Sequence, residues 1–155
     1  MEYAVEFVCA TTNDILDLID VQNQAFFSDY IKYGYCPGYG RTYENMQSTL
    51  ENRIVYKIMA NGTIAGNIIV RDNRDGTYFL GCICIIPQYE NKGIGQAAIK
   101  FIEEHFSDAH HWSLETPADK ERNHYFYKKC GYQITNEYMD GPVKIVLFEK
   151  DIPHE

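Results

Sequence analysis

No stretch of about 18 uncharged apolar residues occurs in the chain, so nothing in it reads as a membrane-spanning helix. The start, MEYAVEFVCATTND, lacks the basic segment and long apolar core of a secretory leader, and a cytoplasmic protein with no membrane partner is expected. Basic residues are scarce, 14 Lys and Arg against 22 Asp and Glu, and the formal charge is −8. A nucleic-acid binder needs a basic stripe along its footprint, so nucleic acid is not an expected partner. The five cysteines (Cys9, Cys36, Cys82, Cys84 and Cys130) form an odd set without Cys-x-x-Cys or Cys/His ligand spacing. That excludes the usual zinc patterns, no metal is expected, and reduced thiols suit the chain better than a disulfide frame. Cys82 and Cys84 read as small core residues on one strand face. Repeats, low-complexity segments and interdomain linkers are also missing.

What is present is ordinary for a globular chain: 155 residues, 45% hydrophobic and 23% charged. One domain over residues 1–155 is expected, able to bury roughly 70% of its unfolded surface. EYAVEFVCA alternates as a strand, and Thr11 and Asp14 are spaced as a capping box for a helix carrying Ile15, Leu16, Leu18, Ile19 and Phe26. An aromatic loop, SDYIKYGYCPGYGRT, precedes a short polar helix near Thr42–Asn52. RIVYKIMA and TIAGNIIVR flank Asn61-Gly62, a strong hairpin signal, and TYFLGCICII follows the DNRDG turn as a nearly all-apolar strand.

Ile94, Ala97, Ala98, Phe101, Ile102 and Phe106 mark one face of the next helix, and HHWSLET reads as a strand. DKERNHYFYKKCG is a helix closed by Gly131, with lysines in its last turn where they suit the helix dipole. YQITNEYM and VKIVLFEK end the chain as a hairpin. The order is β-α-α-β-β-β-α-β-α-β-β, an α+β fold with a mixed sheet and helices on its faces.

The junction IPQYENKGIG passes from an apolar strand straight into a helix. A helix start leaves its first N–H groups unpaired at the positive end of the dipole, which suits an anion. Gly93 and Gly95 permit close approach to the backbone, and Lys92 adds positive charge; their plainer use is a turn and tight helix packing. No GxxxxGK[ST] run exists, which removes the Walker loop. Gly93, Gly95 and Ala98 fit the dinucleotide pattern, with Glu115 at the ribose-binding distance, but Pro87 to Lys92 separate the first glycine from its strand, and the preceding strands are joined by hairpins.

Ile85-Ile86-Pro87-Gln88-Tyr89-Glu90-Asn91-Lys92-Gly93-Ile94-Gly95 resembles the acetyl-CoA turn of the GNAT N-acetyltransferases. Asn123 with Phe126-Tyr127-Lys128-Lys129-Cys130-Gly131-Tyr132 resembles a later motif of the same family, in the same order. Glu90 departs from the family's usual Gln or Arg. The resemblance implies a strand that splays from its neighbour so that Ile83, Cys84 and Ile85 pair with pantetheine. It also implies a pyrophosphate site over Glu90, Asn91, Lys92, Gly93, Ile94, Gly95 and Gln96, and cofactor contacts from Asn123 and Tyr127.

Acetyl transfer to a primary amine of a small molecule or peptide needs a proton donor for the departing sulfur. Tyr127, four residues from Asn123 on one helix face, has the phenol for it, with a reference pKa of about 10. The resemblance implies that Tyr127 is the catalytic acid; its plainer reading is an aromatic packed on the sheet. Glu115, His110, His111 and a water relay all remain open as the base. Tyr30, Tyr33 and Tyr35, with Glu115, are the candidate acceptor-binding residues, and Tyr39 extends the same aromatic loop; the chain's acidity favours a cationic amine. A noncatalytic acyl-CoA-binding regulatory module is the alternative, a dinucleotide oxidoreductase a weaker one. A homodimer is also open, because the last two strands of such sheets often pair between subunits.

Overall fold

The computed structural model describes residues 4–153. The elements are β1 (Val5–Cys9), α1 (Ile15–Tyr33), α2 (Tyr43–Asn52), β2 (Ile54–Ala60), β3 (Thr63–Asp72), β4 (Thr77–Ile85), α3 (Ile94–His105), β5 (His111–Pro117), α4 (Glu121–Lys129), β6 (Gln133–Asp140) and β7 (Val143–Asp151). This is the order expected. Of the expected first strand, Glu2 and Tyr3 lie outside the described residues.

Local signals account for most boundaries. Thr11 N–H donates to Asp14 Oδ2 at 2.8 Å and Asn13 N–H to Thr11 Oγ1 at 3.3 Å, completing the capping box that starts the first helical run. Asn61 (φ 52°) and Gly62 (φ 78°) both take the left-handed conformation that a two-residue β2–β3 turn requires. The first helix differs from expectation. It runs on through the aromatic segment to Tyr33, and Gly34 ends it at φ 66° with its N–H bonded to Tyr30 O at 2.8 Å. Nothing in SDYIKY breaks a helix, and the first residue that does is the glycine. Leu16, expected on the apolar face, is 69% exposed, and the buried stripe is Ile15, Leu18, Val21 and Gln22.

The seven strands form one sheet in the order β1-β2-β3-β4-β5-β7-β6, antiparallel except between β4 and β5. On one face Ile15, Leu18 and Met46 of α1 and α2 pack with Val55 and Ile69. The larger core gathers Ile94, Ala98 and Ile102 of α3 with Trp112, Leu114, Tyr127 and Phe148.

The feature that makes a site is where β4 leaves β5. Their parallel pairing covers only Thr77–Leu80 against His111–Leu114. Beyond it β4 keeps β3 alone as far as Ile85, while β5 keeps β7 through Pro117. The departure begins at an irregularity in the β3–β4 register, where Ile69 faces Cys82 and Val70 faces Leu80, leaving Gly81 as the extra residue. Such a bulge bends its strand and raises the local twist. The free edge of β4 and the end of β5 consequently form the two sides of a cleft.

Candidate active site

Two cavities open along that cleft. One, of about 470 Å³, is walled by Ile83, Cys84 and Ile85 of β4, by Glu90, Asn91 and Gly93 to Gln96, and by the α4 side chains of Asn123, Phe126 and Tyr127. The other, of about 520 Å³, lies toward α1 and α2 and includes Tyr33, Tyr35, Arg41, Glu115 and Asp140. Ile83, Asn123 and Tyr127 line both, so the cavities meet at these residues.

Asn91 (φ 61°) and Gly93 (φ 82°) are both left-handed, which turns the chain sharply into α3. No side chain caps that helix, so its first N–H groups face the cavity with the positive end of the dipole. Gly95 lines the cavity and also has the plainer use named for it, tight helix packing. A Cβ there would lie 3.1 Å from the Phe126 ring, so this glycine lets α3 pack closely on α4. Lys92 is exposed and is not part of the cavity wall. Lys120, Arg122 and Lys129 are the cations in that wall, and Arg122 of α4 donates to Asn91 Oδ1 and lies 3.9 Å from Glu90 Oε2. Glu90 is thereby drawn toward a guanidinium across the cleft.

Tyr127 is 7% exposed, and among the described residues nothing hydrogen bonds its hydroxyl. Burial pushes the phenol well above its usual range, with smaller contributions from Cys82 and Cys130, so it stays protonated at neutral pH. One turn earlier, Asn123 Nδ2 donates to the buried Thr116 Oγ1 at 3.0 Å and ties α4 to β5.

The acceptor candidates separate. Tyr30 lines neither cavity; it stacks on Tyr39 with centroids 4.5 Å apart. Tyr33 donates to Asp119 Oδ1 at 2.5 Å and Tyr35 to Asp140 Oδ1 at 3.3 Å, and both line the second cavity. The Glu115 carboxyl is raised above its usual range, first by partial burial and then by Asp140, with Arg71 opposing. His110 binds Asp75 O, and His111 lies between Asp151 and Glu149, both away from the two cavities. Of the side chains considered as a base, Glu115 alone lines the second cavity. Cys82 and Cys84 do share a face, both meeting Asn67: Cys84 Sγ donates to Asn67 Oδ1 at 2.9 Å, and Asn67 Nδ2 to Cys82 Sγ at 3.8 Å. Arg41, Arg53, Asp140 and Arg122 also line the cavities although no spacing in the chain singled them out; they come from four separate segments.

A mixed sheet split beside a glycine turn, with helices on both faces, is the architecture of solved N-acetyltransferases. PaiA N-acetyltransferase from Thermoplasma acidophilum, solved with coenzyme A, superposes with a TM-score of 0.81 at 18% identity, over 96% of this chain and 99% of that one. The ribosomal-protein-S18-alanine N-acetyltransferase of Escherichia coli gives 0.80 at 15% identity, over 98% and 96%. The chain belongs to the acetyltransferase (GNAT) family, whose model matches residues 16–132. The protein YrkN of Bacillus subtilis (strain 168) is 36% identical over 94 residues, 57% of this chain and 51% of that protein. The chain thus matches about half the length of that curated relative.

Proposed function

We propose that this protein transfers the acetyl group of acetyl-CoA to a primary amine of a small molecule or peptide, by direct attack within one ternary complex. The observation that carries this reading is Tyr127, which lines both cavities and whose hydroxyl is bonded by no other described residue. The residues on the donor side suit coenzyme A. The β4 edge from Gly81 to Ile85 has backbone groups left unpaired by β5, the uncapped start of α3 offers N–H groups to phosphate, and Arg122 adds a cation. PaiA, one of the structures of this fold, was solved with coenzyme A.

Acetyl-CoA supplies its acetyl group as an activated thioester. Ile83, Cys84 and Ile85 bind along the free strand edge, and Asn91 with Gly93 through Gln96 hold the phosphates. Tyr127 Oη keeps its proton at neutral pH and donates it toward the leaving sulfur. Asn123, fixed by Thr116, sets the position of α4 and hence of that hydroxyl. Glu115 is the carboxylate on the acceptor side that takes up the amine's proton, and its raised pKa makes it a better base than an exposed glutamate. No thiol is required as a nucleophile. All five cysteines are free, in keeping with a cytoplasmic setting.

The test is thiol release from acetyl-CoA over a panel of primary amines, with binding of acetyl-CoA and of NADH measured in parallel. Acetyl-CoA binding without NADH binding, and thiol release with at least one amine, are expected. Acetyl-CoA binding with no release from any amine overturns catalysis and leaves an acyl-CoA-binding module.

A further inference from the structure

The acceptor cavity has an unusual charge arrangement. Asp29 and Lys120 both line it and pair with each other at 2.8 Å. Four more charged side chains line it: Arg41, Arg53, Glu115 and Asp140. None of these four has an ion-pair partner among the described residues. The sheet order separates them by sign. Arg41 precedes α2 and Arg53 follows it, leading into β2, whereas Glu115 is on β5 and Asp140 ends β6; β4 runs between the two groups.

Arg41 is the most informative of the four. Its guanidinium is partly buried, and desolvation destabilises its charge. Yet its partners are all neutral: Asn45, Thr49 and Gln22 Oε1, the last at 3.4 Å. Gln22 is itself buried and donates to Asn67 Oδ1 at 3.2 Å, so the guanidinium is held from beneath by a fixed polar network. A cation held with this much structure and given no carboxylate within the protein is suited to an anionic ligand. Arg53 lines the same cavity, its guanidinium bonded among the described residues only to the neighbouring Asn52 O at 3.1 Å.

We infer that the acceptor is a primary amine that also carries a carboxylate, of the amino-acid type, with the carboxylate held between Arg41 and Arg53 and the amine facing Glu115 and Asp140. Registers fix the scale. Ile54 next to Arg53, then Val70, Leu80 and Leu114 next to Glu115, are successive cross-strand partners. Three strand spacings make roughly 14 Å of backbone. The long arginine and glutamate side chains close most of that distance, leaving room for a compact molecule with charges a few bonds apart. A simple diamine satisfies only the acidic wall and leaves two guanidiniums facing it. The inference rests on the acetyl-transfer reading above and names its substrate class.

The experiment compares free amino acids with their carboxamides, and lysine with cadaverine, as acceptors in the thiol-release assay. Expected is a loss of roughly tenfold or more in kcat/KM when the carboxylate is amidated or removed, carried by KM. Arg53→Gln, at an exposed position, should remove most of that discrimination. Arg41→Gln should do the same if it folds, and Arg53→Gln decides the matter if it does not. Amides or cadaverine matching the free amino acids, or Arg53→Gln retaining the preference, overturns the inference and leaves acetyl transfer standing. Failure of every amine to release thiol overturns both.

Discussion

The Asn123 amide donates to the Thr116 hydroxyl at 3.0 Å, bridging α4 to β5 two residues beyond the last β5 residue still paired with β4. The bond ties α4 to β5 beyond the point where β4 and β5 part. It sets the distance from α4, which carries Tyr127, to the strand that carries Glu115. Thr116 is 4% exposed, so its hydroxyl has little access to solvent as a substitute partner.

Removing that hydroxyl while keeping the shape tests the bridge. Thr116→Val should cost about 1 kcal/mol of stability, the usual scale for a lost partner in a partly buried pair. It should lower turnover more than acetyl-CoA affinity, because it loosens the helix and leaves the α3 anion turn intact. Thr116→Ser should restore both. Thermal melts and single-turnover rates on the three proteins check this, and equal behaviour of Val and Ser would remove the positioning role.

The phosphate end offers a comparison between two cations. Lys92 precedes Gly93 in the chain but lies outside the cavity wall, whereas Arg122 is within it. Arg122→Ala is therefore expected to weaken acetyl-CoA binding severalfold and flatten its salt dependence, with Lys92→Ala doing less of both. Glu90→Gln should change affinity little, since the carboxylate is drawn toward Arg122 at 3.9 Å. Calorimetric titration at two ionic strengths measures all three.

Those two residues also show how far the chain could be read before it was seen folded. Periodicity, the Asn61-Gly62 turn and the Thr11–Asp14 cap are local signals, and they placed the elements in their order. Gly93 before Ile94 marked the helix start for the same reason. The split between β4 and β5 was expected only through family likeness. Its physical cause is a register slip that puts Gly81 out of pairing, and pairing between distant segments has no local signature beyond a glycine inside a strand. Arg122, Arg41 and Arg53 were illegible for a related reason: each becomes part of the site through the packing of α4 or α2 against the sheet. Tyr30 failed in the opposite direction. The helix continues through it, and at its place on α1 it stacks on Tyr39 away from both cavities.

His111 provides a pH test remote from catalysis. Nδ1 lies 2.8 Å from Asp151 Oδ1 and Nε2 3.1 Å from Glu149 Oε1, and the Asp151 bond first, then Glu149, raises its pKa against the opposing effect of burial. A raised histidine stabilises fully below its unfolded value of about 6.5 and loses that contribution as pH climbs through the folded value. The stability gap between wild type and His111→Asn should accordingly be wider at pH 5.5 than at pH 8.5. Melts of both proteins at the two pH values measure it; a constant gap means that the histidine is held by packing alone.

The catalytic acid is tested by removing a single oxygen. Tyr127 packs its ring against Phe126 and Phe148, at centroid distances of 5.1 and 5.7 Å, and Tyr127→Phe leaves that packing in place. Among the described residues no group bonds the hydroxyl, so its loss orphans no partner and stability should barely change. Acetyl-CoA affinity should survive for the same reason. What disappears is a buried phenol whose proton is held well past neutrality, and with it the proposed donor for the leaving sulfur. Single-turnover acetyl transfer at saturating acetyl-CoA is expected to fall by roughly 10²-fold or more. The loss should persist across pH 6 to 9, because over that range the wild-type phenol does not titrate. Wild-type single-turnover rates in a Tyr127→Phe protein of unchanged acetyl-CoA affinity would assign the proton to another donor.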